Sequence, residues 1–156
     1  MRNVRRGTVG RGVSLLFLTI LGGCGSNWGQ LDLRQFHLRD TEVRQGNEYV
    51  RAEVNKRLYG AVTRQEREER LGQYYTVEYR GLDPAASATI ELAVRRASGG
   101  AKVTKYRKEI QGEKEGKVEF TFTGDEYRKR GRVVAWLLTL SQGGRVIEQE
   151  QSYLWE

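Results

Sequence analysis

The 156-residue chain has one cysteine, one histidine, one proline and one methionine. A lone cysteine excludes an internal disulfide and a thiolate metal cage. A lone histidine leaves little room for the usual histidine-based active sites or metal sites. Motifs for Ser-His-Asp or Cys-His catalysis, HExxH zinc binding, phosphate loops and dinucleotide binding are all missing. Long apolar runs are missing too. The longest, Val13-Ser14-Leu15-Leu16-Phe17-Leu18-Thr19-Ile20-Leu21, falls well short of the roughly 20 residues that cross a bilayer as a helix. The length fits one domain with a real core, not a large multidomain enzyme. Carboxylates are plentiful, but most alternate with Lys and Arg as they do on solvated faces, which gives a paired-carboxylate hydrolase little support.

What is present divides sharply near residue 24. Arg2, Arg5, Arg6 and Arg11 form a basic start without an acidic residue, followed by the apolar run and then Gly22-Gly23-Cys24. A basic region, a short apolar region and small residues at its end describe an export signal over residues 1–23. The pair Arg5-Arg6 lacks the apolar pattern that follows a twin-arginine signal. Leu21-Gly22-Gly23-Cys24 resembles the lipobox of bacterial lipoproteins, in which a Leu stands three residues before the modified Cys. That resemblance implies cleavage after Gly23, a diacylglycerol on the Cys24 thiol and often an acylated new amino group. Two or three acyl chains would anchor the protein firmly, since each buried methylene contributes about 0.8 kcal/mol. Gly25 stands where an Asp would favour inner-membrane retention in enterobacterial lipoproteins, so the expected location is the cell envelope, with the outer membrane favoured.

Removal of the signal changes the charge balance. The chain carries 27 basic and 20 acidic residues, net +7; without the four signal arginines it has 27 − 4 = 23 basic residues and a net charge of +3. A nucleic-acid partner is therefore not expected.

Residues 24–30 read as a polar lipidated tether, 31–72 as an N-terminal extension with a short helix, and 73–156 as a β-sandwich core, with 31–156 a single domain. Leu31, Leu33, Phe36 and Leu38 alternate with one slip at Arg34-Gln35, as a strand with a bulge would. Residues 48–59 fit helix and strand equally well. Thr63 and Glu66 make a capping box, Arg64–Glu68 and Glu66–Arg70 are spaced to pair, and Gly72 is a stop. From residue 73 onward, alternation at Tyr75/Val77/Tyr79, Ala88/Ile90/Leu92/Val94 and Val118/Phe120/Phe122 gives strands. Glycine-rich breaks divide the region into six segments, with connections too short for helical crossovers. Val133 to Leu140 is apolar on both faces and needs cover on both, from residues 31–72 or from a partner. Ser152-Tyr153-Leu154-Trp155 continues the last strand, which a hairpin at Gly143-Gly144 joins to its neighbour.

The expected fold is mainly β, an antiparallel sandwich that looks like the immunoglobulin or fibronectin type III class. Tyr127 stands roughly where a corner tyrosine would, and Trp136 is a candidate core tryptophan on a different strand from that of antibody domains. A transthyretin-like or meander sandwich or a small barrel fits the segments as well. The whole mature chain also resembles small bacterial lipoproteins of no assigned activity.

Candidate binding residues are few. Arg128-Lys129-Arg130 in a loop, with Lys102, Lys105, Arg107 and Lys108 on an edge strand, form a basic surface for anionic head groups, lipopolysaccharide or wall polymers. Tyr74, Tyr75 and Tyr79 could stack on sugars, although such a stripe more often serves the core. His37 reads as an exposed strand residue rather than a catalytic one. The expected protein is a non-enzymatic envelope lipoprotein without cofactor or metal. It would be held to the membrane through Cys24 and act on an envelope protein partner, with an anionic glycan or lipopolysaccharide as the alternative.

Overall fold

The computed structural model describes residues 29–39 and 47–155. Cys24 and the lipobox residues Leu21, Gly22 and Gly23 lie outside them. Seven strands form two antiparallel sheets: β1 (Leu31–Leu38), β2 (Gly72–Tyr79), β3 (Ala88–Arg96), β4 (Val103–Ile110), β5 (Gly116–Thr123), β6 (Val133–Gln142) and β7 (Arg145–Gln151). The order is β1-β2-β5 in one sheet and β4-β3-β6-β7 in the other. With β1, β2 and β5 in the places of immunoglobulin strands A, B and E, and β3, β6 and β7 in those of C, F and G, β4 sits beside C instead of beside E. Six strands after residue 71 match the six apolar segments, and β6 and β7 turn on Gly143-Gly144, both at positive φ.

The core lies between the sheets. Tyr75, Val77, Tyr79, Phe120 and Phe122 from one face Ile90, Leu92, Val94, Leu138 and Leu140 from the other. Alternation of two residues per repeat puts each set on one side of its sheet. Trp136 is half-buried against this core.

β1 carries no bulge: its register with β2 runs without a shift from Leu31↔Tyr79 to Leu38↔Gly72. The slip in its sequence has another cause. Leu31 and Leu33 face the inter-sheet core, whereas Phe36 and Leu38 face the outer side of the sheet. There a second cluster forms with Val54, Leu58, Leu71 and Tyr74. Val54 and Leu58 belong to α1 (Glu48–Leu58), so the ambiguous segment is a helix, capped by Asn47 through a 3.0 Å bond from the Val50 N–H. Residues 31–38 are thus part of the sandwich, and its outer face is closed by a helix.

α2 (Arg64–Glu69) has both halves of the Thr63–Glu66 capping box, and Arg64 pairs with Glu68 at 2.8 Å. Glu66 instead spends its carboxylate on the N–H groups of Val62 and Thr63, and Arg70 donates to the Arg57 and Tyr59 carbonyls. Gly72 does not stop the helix, which ends at Glu69. It opens β2 with φ +148, where a Cβ would meet the Phe122 carbonyl. A third helix, α3 (Gly124–Arg130), bridges β5 and β6.

Part of the outer face of β6 is covered by the C-terminal residues rather than by residues 31–72. The chain leaves β7 at Ser152 and makes a 3-10 turn, Tyr153–Trp155, that packs on β6. Ser152 exchanges two 2.9 Å bonds with the backbone of Trp136, and the Trp155 ring lies 4.7 Å from the Arg95 guanidinium. Of the final apolar residues, Trp155 packs on the sheet while Tyr153 and Leu154 stay exposed, and none of the three continues the strand.

The two ends of the sandwich differ. One carries the start of β1, the loops 80–87 and 111–115 and the Gly143-Gly144 turn. The other carries the end of β1, α2, α3, the turn 97–102 and the C-terminal 3-10 turn, while α1 lies on the outer face of the β1-β2-β5 sheet.

Candidate functional site

The basic triplet Arg128-Lys129-Arg130 is the last turn of α3, not a loop. Cations there complement the helix C-terminus. Asp125 takes Arg128, and Lys129 at 3.8 Å, while Glu126 takes Arg130 at 3.7 Å. The Arg128 hydrogen bond leads the causes that hold the Asp125 carboxyl below its ordinary range. A helix turns about 100° per residue, so residues two apart point roughly 200° apart around its axis. Arg128 and Arg130 accordingly line different recesses. The strand half of the expected surface is separate again. Lys105 and Arg107 on β4 both pair with Glu91 of β3, and these contacts, Lys105 first, lower the Glu91 carboxyl. The sequence-predicted residues do not form one continuous basic face.

The recess on the Arg130 side, about 230 Å³, is lined by Arg96, Ser98, Lys102 and Arg130 among others. Arg96 continues the inward phase of Ile90, Leu92 and Val94, which explains why its side chain is only 4 % exposed. Its guanidinium lies over the Phe122 ring at 4.3 Å and donates to the Gly131 carbonyl at 3.0 Å and Glu126 at 2.9 Å. The Tyr106 hydroxyl donates to the same Glu126 oxygen at 2.7 Å. This charge is committed to fastening α3 across the open end of the sandwich, so the recess is built chiefly for structure.

The recess on the Arg128 side is larger, about 580 Å³, and joins β1, α2, α3 and the start of β6 through His37, Arg39, Glu68, Tyr127, Arg128 and Arg132. His37 is half-buried, contrary to the exposed position expected of it. Its Nε2 lies 2.7 Å from the Tyr127 hydroxyl, and its Nδ1 accepts from Arg39 Nε at 3.1 Å. Tyr127 is therefore not a corner tyrosine bonded to nearby backbone; its ring meets His37 edge-on, centroids 5.7 Å apart. Burial first, then the charges of Arg39 and Arg132, holds the imidazole below its ordinary pKa, so it is neutral at pH 7. A neutral ring that accepts at Nδ1 carries its proton at Nε2 and donates it to the Tyr127 oxygen. The Tyr127 hydroxyl proton is then available to a further acceptor. Among the described residues neither Arg39 nor Arg132 forms an ion pair.

Of the sequence candidates, Arg128 belongs to this recess, Arg130 and Lys102 belong to the other, and the exposed Lys129 belongs to neither. Tyr74, Tyr75 and Tyr79 are buried at 6 %, 1 % and 3 % exposure and offer no stacking face. Arg39, Arg96 and Arg132 escaped sequence reasoning. Arg96 had a signal in the β3 alternation; Arg39 and Arg132 had none, because residues from distant strands bring them together. Among the described residues no cluster of His, Cys, Asp and Glu is arranged to hold a metal, and no helix is long and apolar enough to cross a membrane. Comparison with family models, curated proteins and solved structures finds no match, so the site is read from its own geometry.

Proposed function

We propose that the chain is a membrane-anchored envelope lipoprotein whose β-sandwich serves as a non-catalytic interaction module. The address label is supported by Leu21-Gly22-Gly23-Cys24 directly after the apolar run. The observation that carries the functional reading is the polarity of the sandwich. The chain enters at Leu31, at the end opposite α3 and both arginine-lined recesses. An eight-residue strand separates the two ends by roughly 25 Å. The tether 24–30 reaches at most about 25 Å when extended, so the entry end stays within that distance of the bilayer while the arginine end can stand further out. Head groups of the anchoring membrane are then the poorer partner, and an envelope component facing that membrane the better one.

Labelling of producing cells with an alkyne fatty acid tests the anchor. The wild-type chain takes up label and sediments with membranes, whereas the Cys24→Ser chain does neither. An unlabelled wild-type chain with Cys24 intact would overturn the reading. A second reading, an anionic envelope polymer as the partner, is favoured by Arg39 and Arg132 in the recess that holds His37, which form no ion pair among the described residues.

A further inference from the structure

We propose that the recess formed by His37, Arg39, Tyr127, Arg128 and Arg132 is a binding site for a phosphate group displayed on a larger molecule. The inference deepens the second reading above and rests on it for where the ligand is met, while the binding chemistry does not depend on the lipid anchor. Three guanidinium groups and one carboxylate, Glu68, line the recess, a local balance of 3 − 1 = +2. Arg128 is shared with Asp125, which leaves Arg39 and Arg132 as the principal donors. Arginine forks match the oxygens of phosphate and carboxylate bidentately. Phosphate is the better match, because two forks and the Tyr127 hydroxyl offer more donors than the two oxygens of a carboxylate can accept. The volume, about 580 Å³, exceeds what a lone phosphate ion fills, so the group arrives attached to something.

The His37 relay makes the site sensitive to acid. Arg39 on one side and Tyr127 on the other hold the imidazole; Arg132 and Arg128 lie across the recess, and Glu68 of α2 supplies the one opposing charge. A bound phosphate stabilises the imidazolium, so its pKa is higher in the complex than in the free protein. By linkage, binding takes up a proton and tightens as pH falls through that window. Protonation also ends the acceptor role of Nδ1 and releases Arg39 Nε toward the ligand.

As the only histidine, His37 gives a single imidazole resonance, which can be followed in the full chain held in neutral detergent. Titration with glycerol phosphate at millimolar concentrations moves this signal saturably and raises the His37 pKa. Acetate binds at least about tenfold more weakly. Arg132→Gln weakens glycerol phosphate at least about tenfold while the dispersed sheet amides stay in place, and His37→Gln flattens the pH dependence beyond the ligand's own titration, whose second pKa is about 6. An unmoved imidazole, equal binding by wild type and Arg132→Gln, or equal binding of acetate would overturn the proposal. Binding of inorganic phosphate without glycerol phosphate would refute the displayed group. None of these outcomes touches the fatty-acid result, so the two readings fail separately.

Discussion

Arg57 tests whether one side chain holds α1 to the sandwich. Of the helix's eleven residues only Val54 is fully buried. Arg57, with its side chain 8 % exposed, lies 4.2 Å from the Tyr74 ring centre on β2 and bonds Glu53 in its own helix and Glu119 on β5. Arg57→Met keeps a stem of similar length and removes the charge. Breaking a fully buried pair costs about 3–5 kcal/mol, but Glu53 and Glu119 are 29 % and 36 % exposed and will rehydrate. The pairs therefore count for about 1 kcal/mol, and the desolvated cation over the ring for about 1 more. A loss of about 2 kcal/mol corresponds to roughly 30-fold more frequent opening. Hydrogen exchange resolves where that opening occurs. Amides of α1 should exchange roughly 30-fold faster while those of β3 and β6 change little, because α1 rests on the outer face and not on the inter-sheet core. Unchanged protection in α1 would refute the reasoning, as would an equal loss across every strand. A double-mutant cycle with Glu119→Gln should recover part of the energy as coupling.

Two further outcomes follow from the packing. Gly72→Ala forces a Cβ against the Phe122 carbonyl and 2.9 Å from the Thr123 Cα, at a φ of +148. It should cost at least about 2 kcal/mol, visible as a clear fall in Tm, and an unchanged Tm would contradict the close β2–β5 approach. Burial pushes the Tyr75 phenol up to about 12 against the opposing charge of Arg96, and burial with the Glu113 hydrogen bond does the same to Tyr79. A phenol whose pKa is raised on folding stabilises fully below the unfolded value, about 10, and loses that contribution as pH climbs through about 12. Urea midpoints should therefore fall between about pH 10 and 12, and Tyr79→Phe should reduce the fall.

The sandwich was legible because its strands obey a two-residue period and its turns are written in glycine. Tyr75/Val77/Tyr79 and Ile90/Leu92/Val94 end on the faces their alternation requires. Reading failed where two rules overlapped in one segment. In β1 the apolar phase changes because the strand serves two cores, and the second is made by a helix whose own pattern was ambiguous. Arg128-Lys129-Arg130 is visible as a cluster in sequence but separates in space, since helical geometry turns alternate residues apart. The larger recess was legible only in part. Its His37–Tyr127 bond joins residues ninety positions apart, and no local pattern encodes such a meeting.

The opposed placement of the chain's entry and the arginine end has a mechanical consequence. A pull between Leu31 and the α3 end runs parallel to the strands. The eight paired positions of β1 and β2, from Leu31↔Tyr79 to Leu38↔Gly72, are then loaded in shear and share the force. Had the chain entered at the same end as α3, β1 would instead be peeled from its neighbour one pair at a time. The fold is oriented to bear tension along its length.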